Sequence, residues 1–130
     1  MSTTPTRIAI DGHTDVARID GAMSLPLDAA IAGGLSAAVV AVRASKLPGY
    51  AGAEAGVREQ QSVYEAILCA AEESGGRARI ARSAQEVREN AAAGVFSYIL
   101  GFQNARPLDG LTDLERWIDR TYGRLERKRS

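Results

Sequence analysis

Cysteine, histidine and tryptophan each occur once in this chain of 130 residues. The lone Cys69 excludes an internal disulfide. With His13 as the lone imidazole, any catalytic metal needing three protein ligands must draw on other residue types. Neither sign of charge is in excess: sixteen Lys and Arg face sixteen Asp and Glu, so no overall field recruits nucleic acid or an anionic membrane. No apolar run is long enough to span a bilayer, and Met1 to Arg7 lacks the apolar stretch of a secretory signal. With the unpaired cysteine, this predicts a reducing, cytoplasmic setting. Thirteen glycines are present, yet Gly33-Gly34 matches neither the G-x-G-x-x-G of a dinucleotide loop nor the Gly-Lys-Ser/Thr of a phosphate loop.

What remains is 45% hydrophobic, the composition of one ordinary globular domain. Arg7 to Asp11 and Leu35 to Val42 are continuous apolar runs with β-branched residues, which predict short strands covered on both faces. The loop between them holds either a hairpin-like excursion around Ile19 to Leu27 or a short helix near Leu27 to Ala32. After a flexible turn at Pro48 to Gly52, Val57, Gln61, Tyr64, Ile67, Leu68 and Ala71 recur at helical spacing, and Gly75-Gly76 should end that helix. Cys69, within it, reads as a small buried hydrophobe. Arg77 to Ala81 is a candidate strand. Ser83-Ala-Gln-Glu86 has the form of a capping box opening a helix to about Ala93. Val95 to Gly101 is a further strand. Thr112-Asp-Leu-Glu115 reads as a second capping box, with Leu114, Trp117 and Ile118 packing inward and Gly123 closing the helix. Arg124 to Ser130 is a basic tail without aromatics, expected to be frayed and offering no nucleic-acid footprint.

Strands alternating with helices predict a parallel sheet, and parallel sheets place ligands beyond the carboxyl ends of their strands. His13, Asp15, Arg43 and Gln103 all fall there in the sequence. His13 and Asp15, two residues apart on a strand, can aim an imidazole and a carboxylate at one point, as half of a zinc site. The plainer readings stay open: Asp11-Gly12 as a turn, Asp15 as a cap, Gln103 and Asn104 as amides bonding loop backbone. Arg43 and Lys46 suit either a substrate anion or a solvated loop.

Ile10-Asp-Gly-His-Thr-Asp15 followed by Ile99-Leu-Gly-Phe-Gln-Asn104 resembles the amino-terminal part of the membrane (renal) dipeptidase family, zinc peptidases of the amidohydrolase-like (β/α)8 barrel class. The resemblance implies an α/β fold, the parallel-stranded amino-terminal half of such a barrel over residues 1–123, with 124–130 as the tail. It implies that His13 and Asp15 are metal ligands of a centre holding one or two zinc ions in the complete family. Gln103 stands where better-known members carry a Glu that bridges both ions, and as a neutral amide it offers a weaker ligand. The implied substrate is a dipeptide, cleaved by metal-activated water. The family's later His and Asp ligands have no counterpart here, so the expectation is a fragment of a dipeptidase with little or no activity of its own. The alternative is a non-catalytic α/β remnant or oligomerisation module. An open half-barrel would expose sheet edges and an apolar interior, which predicts self-association.

Overall fold

The computed structural model describes residues 7–15, 26–42, 53–102 and 110–122. Four strands and four helices alternate: β1 (Ile10–Thr14), α1 (Leu27–Ala32), β2 (Ala37–Val42), α2 (Ala53–Glu73), β3 (Ala78–Ala81), α3 (Ala84–Ala92), β4 (Phe96–Phe102) and α4 (Gly110–Tyr122). All pairings are parallel, in the spatial order β1-β2-β4-β3. The expected parallel α/β architecture is therefore present, with the central strand β2 buried along nearly its whole length.

The strand order explains which helix covers which face. From β1 to β2 to β3 the chain moves in one direction across the sheet, and from β3 to β4 it steps back. Right-handed crossovers place the connecting helix on one face for forward moves and on the opposite face for a reversal. The packing follows this rule. Ala30 of α1, Ile67 of α2 and Trp117 of α4 share a core with Ala38, Val40, Val42, Phe96, Tyr98 and Leu100. Val87 of α3 instead packs with Ala37 and Ala81, beside Ile8 and Ile99. Among the described residues, one face thus carries three helices and the other carries α3.

Local chemistry sets the element ends. In α2, Val63, Tyr64, Ile67, Ala70 and Ala71 form one apolar stripe against the sheet. The helix stops where Gly75 and Gly76 take φ of 66° and 88°, a left-handed conformation that favours glycine. Ser74 Oγ then accepts the Ala78 N–H at 3.0 Å and donates to Ala71 O at 2.6 Å, turning the chain directly into β3. The capping box before α3 forms: Ser83 Oγ accepts from the Glu86 N–H at 3.1 Å. Glu86 reaches back one residue further than the usual box, to the Arg82 N–H. On the α3 face, Asn90 Nδ2 donates to the buried Ser97 Oγ at 3.0 Å, tying the helix to β4.

Several expectations shift. The first strand runs Ile10–Thr14 rather than Arg7 to Asp11, so the histidine lies within it. The open choice after it resolves to α1 at Leu27–Ala32; residues 16–25 lie outside the described residues, as do Pro48 to Gly52, Gly123 and the tail. Helix α4 begins at Gly110, which puts Thr112 inside the helix and not at its cap. Leu114 is exposed, whereas Trp117 is buried. Cys69 is exposed; an exposed thiol meets no packing demand, and its Sγ donates to Glu73 Oε1 at 3.3 Å. No helix among the described residues is long and apolar enough to cross a membrane.

One glycine is required by packing. A Cβ on Gly101 would lie 2.7 Å from Val39 Cγ1 on the neighbouring strand. Gly101→Ala should therefore destabilise the domain by about 1–3 kcal/mol in urea unfolding, the usual cost of overpacking. Val39→Ala in the same chain should recover part of that loss. An unchanged midpoint for Gly101→Ala would show that β4 does not approach β2 this closely.

Candidate functional site

The sheet register decides where the His-x-Asp pair points. Ile10 lies opposite Ala37, Asp11 opposite Ala38, and Thr14 opposite Val40, with an irregularity between Asp11 and Thr14. Three steps along β1 thus match two along β2, the signature of a one-residue bulge in which Gly12 and His13 face Val39. Had β1 kept strict alternation from Ile10, then His13 and Asp15 would lie on the face covered by α1, α2 and α4. The extra residue reverses the phase. Thr14 takes the helix-covered side and is buried, while His13 and Asp15, on either side of it, take the open face with Ile8 and Ile10.

There the two side chains meet. His13 Nε2 is 3.7 Å from Asp15 Oδ1, with the imidazole 59% and the carboxylate side chain 35% exposed. The His13 N–H, displaced from the ladder by the bulge, donates to Asp11 Oδ1 at 3.0 Å. On the same face, Ile8, Ile10, Ala81, Val87 and Ile99, with Arg82 and Arg88, line a mostly apolar concavity of about 640 Å³ that does not include His13 or Asp15. Ile10 is 49% exposed within it.

Val42, the last residue of β2, pairs with Phe102, the last of β4, so those two strands end level. Gln103, Arg43 and Lys46 lie outside the described residues. Among the described residues no cluster of three or more His, Cys, Asp or Glu is gathered for a metal. The pair itself fits a shared cation. Two ligands of one tetrahedral zinc, each about 2.1 Å from the ion, lie about 3.4 Å apart, close to the 3.7 Å observed between Nε2 and Oδ1. One imidazole and one carboxylate are also a usual donor set for zinc.

Solved structures similar to this arrangement of elements include dipeptidases and a metallopeptidase. The probable dipeptidase PvdM from Pseudomonas aeruginosa superposes with a TM-score of 0.73 at 23% identity, covering 85% of this chain and 32% of its own. A dipeptidase of metallopeptidase family M19 gives 0.65 at 21% identity, covering 79% and 38%. In fold, the sheet and its helices match part of these larger parallel α/β structures. A metallopeptidase from Rhodobacter sphaeroides, liganded with a phosphinate mimic of the dipeptide L-Ala-D-Ala, gives 0.64 at 21% identity, covering 79% and 40%. The chain thus spans between a third and two fifths of the length of these dipeptidase structures. No protein-family model and no curated protein matches its sequence.

In a closed barrel, helices pack outside and strands fill the interior with their other face. Here the face carrying His13, Asp15 and the apolar concavity also carries α3, whose Val87 lines that concavity. The His-x-Asp spacing points to the pair but not to Asp11, which reads in the sequence as a turn residue. The available signal was an Asp two residues before the histidine, since Asp side chains readily bond backbone two positions on.

The one thiol stands apart from this site, on α2. Its hydrogen bond to Glu73, the charge of that carboxylate and that of Glu72 push the Cys69 thiol above its ordinary value. Alkylation by iodoacetamide should accordingly rise at higher pH than for an unperturbed cysteine, because the thiolate is the nucleophile. Glu73→Gln should move that profile back to lower pH; an unmoved profile would contradict the Glu73 contact.

Proposed function

We propose that this chain belongs to the membrane dipeptidase family and supplies the first part of a zinc-dependent dipeptidase barrel. The observation that supports it most is the bulge in β1, which brings His13 Nε2 and Asp15 Oδ1 to 3.7 Å on the face opposite α1, α2 and α4. His13 and Asp15 are the metal ligands of this reading, and Gln103 a weaker third. The imidazole binds in its neutral form through one ring nitrogen, and the carboxylate contributes negative charge that favours a divalent cation. Zinc, when bound, supplies Lewis acidity to a substrate carbonyl and acidity to a water. The substrate class is a dipeptide, supported by the L-Ala-D-Ala mimic held in a structural neighbour.

Hydrolysis belongs to the assembled barrel, since the matched structures are two and a half to three times longer than the part covered here. The sheet alone has edge strands in β1 and β3 and an apolar face with α3 as its single described helix. Such a surface favours association with a second copy, and sedimentation at increasing concentration should show it.

Titration with zinc at neutral pH tests the metal reading. The wild-type chain should bind zinc, and His13→Ala or Asp15→Ala should each weaken binding by more than the roughly 10–100-fold that an outer hydrogen-bonding partner is worth. Absence of zinc binding, with melting unchanged by zinc, would instead favour the non-catalytic remnant.

A further inference from the structure

We propose that Asp11 is the positioning residue of this site: its carboxylate holds the β1 bulge and thereby fixes which face His13 and Asp15 occupy. The inference rests on the metal reading above for its functional meaning, but its structural content does not depend on a metal.

The direction of the pair depends on a single residue of register. Asp11 still pairs in phase with Ala38, and Thr14 resumes in phase with Val40, so the whole adjustment is made by Gly12 and His13. A bulge leaves a backbone group without its ladder partner. Here the displaced His13 N–H is taken by Asp11 Oδ1 at 3.0 Å. A carboxylate accepting a backbone N–H makes a charge-assisted bond, stronger than a neutral one, and the bond closes a local turn over the two bulged residues. Strict pairing would forgo this bond and turn His13 and Asp15 toward the face where Val40, Ile67 and Leu100 are packed. Asp11 therefore acts through His13, without contacting the metal or the substrate.

The experiment combines amide hydrogen exchange, NOE measurement and zinc titration on the wild-type chain, Asp11→Ala, Asp11→Asn and His13→Ala. Asn keeps the side-chain oxygen and should keep the bulge; Ala removes it. The expected results are slow exchange of the His13 amide in the wild type and in Asp11→Asn, and fast exchange in Asp11→Ala. The NOE between the His13 ring and the Asp15 β-protons should be present in the first two and lost in the third. Zinc affinity should fall about 10–100-fold in Asp11→Ala and stay near wild type in Asp11→Asn. Persistence of the His13–Asp15 NOE in Asp11→Ala would overturn the inference, as would wild-type zinc affinity in that variant when His13→Ala has lost it. Should Asp11→Ala fail to fold, the wild-type exchange still decides: a His13 amide exchanging at the unstructured rate overturns the inference. A wild-type chain that binds no zinc would remove the dipeptidase reading alone, leaving the exchange and NOE results to judge Asp11.

Discussion

Trp117→Ala is expected to destabilise the domain by about 3–5 kcal/mol, the usual cost of emptying a buried aromatic site. Trp117 is the buried anchor of α4. Its ring stands edge-on to Tyr64 of α2, with centroids 5.5 Å apart, and to Phe102 at the end of β4, 5.1 Å away. Arg120, one turn on, places its guanidinium 4.7 Å from the centres of both the Tyr64 and Trp117 rings and donates to Gln61 Oε1 at 2.8 Å. Alanine would leave a cavity, two aromatic rings without their partner and a cation without one of its two faces. Small domains have only about 5–15 kcal/mol of stability in total, so the urea midpoint should fall steeply. Trp117→Phe keeps an apolar ring and should lose much less. The effect should also reach the candidate site, because Phe102 immediately precedes Gln103. A Trp117→Ala variant with a wild-type midpoint would show that α4 does not dock through this ring.

Insertion of one glycine after Gly12 is expected to have the larger functional effect. With a second extra residue, the one-residue bulge no longer restores the register with β2, and the phase of everything after Gly12 reverses. His13 and Asp15 would turn toward the packed helices, where a carboxylate is costly to bury. Strand β1 lies at the sheet edge, so the expected outcome is loss of its pairing while β2, β4 and β3 persist. Amide protection from Ile10 to Thr14 and zinc binding should vanish together. Gly12→Ala provides the contrast. A Cβ at Gly12 meets nothing within 4 Å, and its φ is not among the positive ones, so the substitution should cost less than about 1 kcal/mol and leave binding intact. Equal behaviour of the insertion and the substitution would contradict the role assigned to the bulge.

The sequence makes the parallel α/β class legible because its signals are local: apolar runs with β-branched residues at Ala37–Val42, a helical stripe ending at Gly75-Gly76, and the Ser83–Glu86 cap. The position of β3 beyond β4 is not local. It depends on which strand edges meet after α2 and α3 have packed on opposite faces, and no periodicity within either segment records that. The His13-x-Asp15 spacing correctly suggests two groups aimed at one point. Its usual warrant, strict alternation along a strand, would nevertheless have placed them on the wrong face, since the bulge arises from pairing with β2. The exposure of Cys69 is not legible for a related reason: apolar neighbours in sequence lie on other faces of a helix, and its own face is turned to water beside Glu73.

The most direct measurement for the metal account is X-ray absorption at the zinc edge on the wild-type chain loaded with one equivalent of zinc, repeated on His13→Ala. The account predicts one imidazole in the coordination shell of the wild type, with oxygen ligands completing it, and none in His13→Ala. A wild-type spectrum without an imidazole, or one unchanged by removal of His13, would contradict it.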